Sequence, residues 1–210
     1  RGNRRKHKNM RRLPASCITI LLVALTAIRS SAADKKQWGT LTNCEYVAAT
    51  GNDGDSFRIR SGTNEFIARL YFVDAPECNL EYAERTRKQS EYFGITLDET
   101  MKAGRAASET ARKFLAKPFV VHTRWTTAGG RSRDLRFYVL IEADGGSLAE
   151  ELVSLGLAIP RGAIAVLPSG GKSKDYIAKL ESLEVKAREK RLGAWATAAT
   201  TDVPTGAGSV

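Results

Sequence analysis

One stretch constrains the fold more than any other: the nine residues from Glu65 to Val73 (EFIARLYFV) are apolar at nearly every position, with Arg69 as the charged interruption. Such a run fits a strand covered on both faces, as in a closed barrel or sandwich. Pro76 ends it, because proline fixes φ and has no amide to give to a ladder. Two shorter strands precede it, Leu41 to Val47 and Ser56 to Arg60, separated by Gly51, Asn52, Asp53 and Gly54, residues that favour a tight hairpin turn.

Residues 78–95 are charged and lack a clean period, which predicts a long surface loop. Thr96 to Glu99 has the form of a capping box, and Leu97, Met101, Gly104, Ala107, Ala111 and Phe114 recur at helical spacing, so a helix is expected to run to Ala116. Strands are predicted from Phe119 to Trp125 and from Leu135 to Glu142, with a glycine-containing loop between them. Ser147 opens a second helix, Leu148 to Leu155, closed by Gly156. Ser173 caps a third, in which Tyr176, Leu180, Leu183 and Ala187 follow a helical period before Gly193. Three strands, a helix, two strands and two helices do not alternate as a parallel α/β fold requires. The order fits an α+β, mainly β architecture, a five-stranded Greek-key barrel of the OB type with three helices.

The formal charge of +10 invites a polyanionic partner, but the excess sits at one end. Residues 1–33 hold 8 of the 33 Lys and Arg and none of the 23 Asp and Glu, so the rest has 25 basic against 23 acidic residues, a balance of +2. Any phosphate binding must therefore come from local arrangement. Met10, Arg11 and Arg12 precede an apolar run of 12 residues from Cys17 to Ile28, and small residues follow to Ala33. This is the composition of a secretory signal, and it is shorter than the roughly 20 residues of a membrane-spanning helix. The expected organisation is a leader over 1–33 (1–9 upstream of Met10, signal peptide 10–33), a folded domain over 34–196, and a disordered tail over 197–210. The expected location is secreted or periplasmic, with membrane contact only if the leader stays uncleaved.

Two cysteines, Cys44 and Cys78, follow the leader. In an exported chain they either form a disulfide, worth about 2–4 kcal/mol, or remain two separate thiols. His122 is the one histidine after residue 33, which disfavours Ser-His-Asp, Cys-His and multi-histidine zinc chemistry. Carboxylates and arginines are left to carry any reaction.

Asp53 and Asp55 sit on a turn entering one strand, and Asp74 and Glu77 on a turn leaving another. A hard divalent cation such as Ca²⁺ takes roughly 6 to 8 oxygen ligands of this kind. An Asp-Gly-Asp turn alone is most often an Asx turn. Arg69, five residues before Asp74, either pairs with a buried carboxylate or faces a site where an anion arrives.

The Asp53–Ser56 turn, the Ala68–Glu77 stretch (ARLYFVDAPE), the Leu148–Val153 helix continuing through Gly156 to Ala158, and Arg188 to Trp195 together resemble the staphylococcal nuclease family. The resemblance covers about residues 40–195, and its specificity lies in two distant motifs agreeing in order and separation. It implies a Ca²⁺-dependent phosphodiesterase that acts on DNA and RNA and releases 3′-phosphorylated products. Asp55 and Asp74 would then be metal ligands, joined by the carbonyl of Ala75, with Asp53 supporting the metal through water. Glu77 becomes the general base on the attacking water and Arg69 a donor to the scissile phosphate. The family's second arginine follows a glycine in the loop before the fifth strand, a role that Arg131 takes after Gly130. Arg133 and Arg136 are then phosphate-tracking or solvated charges. These roles suit phosphodiester hydrolysis, in which charge builds on non-bridging oxygens and a positioned carboxylate activates water.

Departures from the family pattern concern binding more than chemistry. Ala75 stands where threonine is common, and Gly129, Gly130, Arg161 and Gly162 occupy positions where the family wraps the nucleotide. Residues 78–95 exceed the expected connection. There Arg85, Arg87 and Lys88 with Tyr82, Tyr92 and Phe93 either rim a nucleic-acid site or lie on a solvated loop whose aromatics pack back. The implied partner is DNA or RNA, with no stable protein partner and a monomeric chain. The alternative is a non-catalytic OB-type module that binds nucleic acid or protein, but such a module needs no combination of Asp55, Asp74, Glu77 and Arg69.

Overall fold

In the computed structural model, which describes residues 37–129 and 135–198, five strands close on themselves. They are β1 (Gly39–Tyr46), β2 (Ser56–Ser61), β3 (Asn64–Leu70), β4 (Phe119–Thr127) and β5 (Arg136–Ala143). Antiparallel neighbours run in the order β3–β2–β1–β4–β5, and β3 then pairs with β5 in parallel, which closes the barrel. A two-residue strand, β6 (Gly146–Ser147), folds back on β5. The expected five-stranded OB-type barrel is the fold. Phe57 and Ile59 of β2, Ala68 and Leu70 of β3, Phe119 and Val121 of β4 and Val139 and Ile141 of β5 are buried in one apolar cluster. Of the intervening positions Leu140 is buried, while Arg58, Arg69 and Val120 stay partly open, two of them charged.

β3 ends three residues before the expected Val73. Phe72 has φ +70°, a backbone setting that bulky residues adopt only under constraint, and its amide donates to the Ala163 carbonyl at 2.9 Å instead of extending the ladder. Two residues on, Asp74 and Ile159 exchange both backbone hydrogen bonds at 3.0 Å. The stretch that leads into the Asp74–Glu77 turn is thus fixed by backbone contacts to residues 159–163. The turn between β1 and β2 is organised by Asn52, whose side chain donates to the Val47 carbonyl and accepts the Arg58 amide, each at 2.9 Å.

Among the described residues four α-helices, not three, pack around the barrel: α1 (Ala83–Phe93), α2 (Leu97–Phe114), α3 (Leu148–Ser154) and α4 (Ser173–Glu189). The predicted capping box of α2 is formed, with Thr96 and Glu99 each bonding the other's backbone amide. At α4 the cap is Lys172, and Ser173 instead donates its hydroxyl to the Ala165 carbonyl at 3.0 Å.

The unexpected element is α1, which replaces the loop predicted over 78–95. Its buried face is Thr86, Gln89, Ser90 and Phe93, so three of the four inward residues are polar and a hydrophobic period cannot reveal it. Its exposed face carries helical ion pairs at i,i+3 and i,i+4, from Arg87 to Glu84 and Glu91 and from Lys88 to Glu84. Phe93 packs back on Trp195 with ring centroids 4.7 Å apart.

The leader over 1–33, Arg131 and Arg133 lie outside the described residues. So does the tail from residue 199, while Ala198 packs with Trp195 in a small apolar cluster. Among the described residues no helix is long and apolar enough to cross a membrane.

Candidate active site

Two carboxylate-bearing turns meet against α2 because small residues let them approach. A Cβ on Gly54 would lie 2.5 Å from the Ala107 Cβ and 2.9 Å from the Ala75 Cβ, and one on Gly104 would lie 2.6 Å from the Pro76 carbonyl oxygen and closer still to that of Glu77. The first turn is held by Asp53, whose Oδ1 accepts the amides of Asp55 at 3.0 Å and Ser56 at 2.6 Å. The second is tied to the first by the Ala75 amide, which donates to Asp55 Oδ2 at 2.7 Å.

Arg69 joins the two clusters. Its guanidinium reaches Asp55 Oδ1 at 2.7 Å and Asp74 Oδ1 at 2.9 Å, with Asp55 only 1% exposed. Both readings left open for Arg69 now bear on one position: it pairs with buried carboxylates and stands in the site. Asp53, Asp55, Arg69, Asp74, Ala75 and Glu77 are all brought together in space.

Two residues of α1 enter the site: Arg85, expected only as one of several charges on a nucleic-acid rim or a solvated loop, and Gln89, which was not foreseen. Arg85 donates through Nε to Glu77 Oε1 at 2.8 Å and through Nη2 to Asp74 Oδ1. Gln89 accepts the Glu77 amide at 2.8 Å and donates to the Ala75 carbonyl at 2.9 Å and to Asp74 Oδ2 at 3.2 Å. A signal was present: Arg85, Gln89 and Phe93 recur at intervals of four, which places them on one helical face.

Burial pushes the Asp55 carboxyl well above the usual carboxylate range, with Arg69 opposing the rise and Asp53 and Asp74 adding to it. Asp53 is also raised by burial, against Arg69 and its hydrogen bonds. For Glu77, burial raises the pKa and Arg85 lowers it, while Asp55 and Asp74 add to the rise. Burial works against the charge of Arg69, but the surrounding carboxylates outweigh it and keep the guanidinium protonated.

Four carboxylates (Asp53, Asp55, Asp74, Glu77) face two guanidiniums (Arg69, Arg85), a formal balance of −2 if all are ionised. Among the described residues no group of three or more His, Cys, Asp or Glu side chains converges as a ready metal cage. The donors are nevertheless all hard oxygens. The Ala75 carbonyl keeps a second lone pair beside its bond from Gln89, and the negative balance matches one divalent cation. Asp55, Asp74 and Ala75 fit that group.

Beside these turns lies a cavity of about 620 Å³, lined by Asn52, Asp53, Arg58, Glu77, Tyr82 and Arg136 among others. Arg58 pairs across the ladder with Ile67, and Ile67 with Arg136, so both arginines share one row across β2, β3 and β5. The neighbouring row holds Ser56, Arg69 and Tyr138. Of the three arginines considered for the second phosphate contact, Arg136 is the one among the described residues. Its Nη2 donates to the Gly129 carbonyl, while its buried Nε has no hydrogen-bond partner among the described residues.

The disulfide expected as one possibility is not formed, since Cys44 and Cys78 are both free thiols. Cys44 belongs to the barrel core, opposite Phe119, whereas Cys78 lines the cavity beyond Glu77. Burial, reinforced by Asp53 and Glu77, pushes the Cys78 thiol up to about 11.

A profile of the staphylococcal nuclease homologue family matches residues 68–197, more than half of the 210-residue chain. No curated protein matches the chain. The matched segment begins inside β3 and takes in Arg69, the Asp74–Glu77 turn, β4, β5 and all four helices. The chain therefore belongs to the family of staphylococcal nuclease homologues, a family of nucleases in general.

Proposed function

We propose that the chain is an exported, Ca²⁺-dependent nuclease that hydrolyses phosphodiester bonds of DNA or RNA to 3′-phosphorylated products. The observation that carries this reading is the bridge from Arg69 to Asp55 and Asp74, with Glu77 on the same turn as Asp74. Export rests on the signal-like composition of residues 10–33. The 3′-phosphate outcome rests on the family resemblance.

Asp55, Asp74 and the Ala75 carbonyl would hold the cation, with Asp53 supporting them through water. When bound, Ca²⁺ supplies positive charge to the phosphate oxygens. Arg69, already at the carboxylates, donates to the scissile phosphate, and a guanidinium suits paired phosphate oxygens because its donors form a planar fork. The second such donor comes from the segment before β5, where Arg131 is the expected residue and Arg136 the described one, with its place in the cavity wall and an Nε that has no partner among the described residues as support. Glu77 takes the proton of the attacking water, a role worth about 10²–10⁴-fold. The raised proton affinity that burial gives Glu77 favours that role. The cavity beside Glu77 is where the substrate strand lies, with Tyr82 and Arg58 at its wall.

The test is to incubate the full chain with denatured DNA or with RNA, in Ca²⁺ or in chelator, and to examine the ends produced. Cutting should need Ca²⁺, and terminal transferase should extend the DNA fragments only after phosphatase treatment. Binding without cutting, or fragments that carry free 3′-hydroxyls from the start, would contradict the reading.

A further inference from the structure

The guanidinium of Arg85 occupies a position that the proposed roles leave without work. It bridges Glu77 Oε1 and Asp74 Oδ1, the base and a metal ligand of the reading above. Asp74 Oδ1 is also the oxygen that Arg69 takes at 2.9 Å, so two arginines converge on one atom. Arg85 is not buried as a pure core ion pair would be: its side chain is 40% exposed, against 13% for Arg69. Of its five N–H donors two are engaged by these carboxylates, which leaves three for another acceptor. The helix that carries it is anchored on both sides of the residue. Thr86 is fully buried and bonds the Tyr82 and Asn79 carbonyls, and Gln89, one turn on, grips the catalytic turn through three hydrogen bonds. Arg85 is thus held within reach of the water that Glu77 would activate.

We propose that Arg85 is a further catalytic arginine, which donates to a non-bridging oxygen of the scissile phosphate while its contacts to Asp74 and Glu77 orient it. The acceptor class is a phosphodiester dianion-like transition state, whose added charge a third guanidinium meets directly. The covalent step is that of hydrolysis alone: water's oxygen bonds to phosphorus as one of its protons passes to Glu77, the bond from phosphorus to the 5′-oxygen breaks, and that oxygen takes a proton from solvent, while Arg85 contributes hydrogen bonds only. This inference rests on the nuclease reading of the site.

The experiment compares the full-length wild type with Arg85→Ala and Arg85→Lys, each checked for an unchanged melting transition. Three quantities are read: cleavage of a fluorescein-labelled single-stranded oligodeoxynucleotide with Ca²⁺, binding of that oligonucleotide in a Glu77→Gln background, and Tb³⁺ luminescence without nucleic acid. Arg85→Ala should lower kcat by about 10²–10³-fold, the size of effect seen when one preorganised donor is removed. Arg85→Lys should recover part of the loss, and Tb³⁺ affinity should hold or tighten, because a competing cation has left Asp74. A folded Arg85→Ala chain that cuts within threefold of wild type overturns the proposal. So does Tb³⁺ affinity falling in step with activity, which would make Arg85 a support for the metal ligands only. A folded wild type that never cuts overturns the nuclease reading and Arg85 with it, whereas a wild type that cuts as fast as Arg85→Ala overturns Arg85 alone.

Discussion

The side-chain oxygen of Gln89 accepts the backbone amide of Glu77 at 2.8 Å, so a helix buried by a polar face sets the place of the candidate base. The same side chain returns two donor bonds, to Ala75 O and to Asp74 Oδ2. With Gln89 only 4% exposed, water cannot readily replace these partners.

Replacing Gln89 by Leu keeps the volume and strands the Glu77 amide and the Ala75 carbonyl. Unfolding free energy should fall by about 1–3 kcal/mol, the cost of unsatisfied buried polar groups. Urea denaturation measures it. Gln89→Leu with wild-type stability would mean that the turn holds its shape without α1.

Gly104 gives α2 its close approach to the Pro76 and Glu77 carbonyls. Alanine normally gains about 1 kcal/mol over glycine inside a helix. Here the new Cβ would meet backbone oxygens, which cannot rotate away as a side chain could. Overpacking of about 1–3 kcal/mol should win, so Gly104→Ala is expected to be destabilising. Gly51→Ala, with nothing within 4 Å of the added Cβ, is the control and should be nearly neutral.

Arg69 is the counter-charge of a carboxylate that solvent barely reaches. Arg69→Ala leaves Asp55 buried and unpaired, which should cost about 3–5 kcal/mol, as breaking a buried pair does. The double variant Arg69→Ala with Asp55→Asn should be more stable than Arg69→Ala alone. An additive double-mutant cycle would show that the two side chains do not depend on each other.

Alkaline pH acts through two phenols as well as the Cys78 thiol. Burial, then the bond to Glu184, raises Tyr92 to about 12, and burial is the largest cause in raising Tyr176 to about 12. Both lie above the value of about 10 for an unfolded tyrosine. The folded state therefore keeps protons that the unfolded chain gives up. Stability tied to these phenols is full below about pH 10 and is lost as pH rises through about 12. The variant Tyr92→Phe with Tyr176→Phe should flatten that decline in urea midpoints. An unchanged slope would place the loss elsewhere.

The barrel was legible because its strands alternate or run apolar and its turns carry Asn, Asp and Gly, signals that need no tertiary context. The capping box at Thr96 was legible for the same reason, as local chemistry at short spacing, whereas the cluster of Asp53, Asp55, Arg69, Asp74 and Glu77 was implied by the family resemblance of two distant motifs. What escaped was α1, whose buried face is polar: Gln89 bonds the Asp74–Glu77 turn, Thr86 the Asn79 and Tyr82 carbonyls just before the helix, and Ser90 the Arg87 carbonyl within it. Gln89 escaped with it, as did the contacts of Arg85 to Asp74 and Glu77. Arg136 takes its place through the β3–β5 register, in which Ile67 pairs with Arg136, and a parallel pairing between strands so far apart in the chain has no local signature; Arg131 and Arg133 lie outside the described residues. Cys44 and Cys78 read as a possible pair because spacing says nothing of which face each thiol takes.

The central claim is that Glu77 and the Arg69-linked carboxylates perform Ca²⁺-dependent phosphodiester hydrolysis. The most direct measurement is the rate at which folded wild type and Glu77→Gln cut denatured DNA at saturating Ca²⁺, with chelator as the blank. The account predicts cutting by the wild type only with Ca²⁺, and a rate lower by about 10²–10⁴-fold in Glu77→Gln. Equal rates in the two proteins, or a folded wild type that binds DNA in Ca²⁺ and leaves it whole, would contradict it.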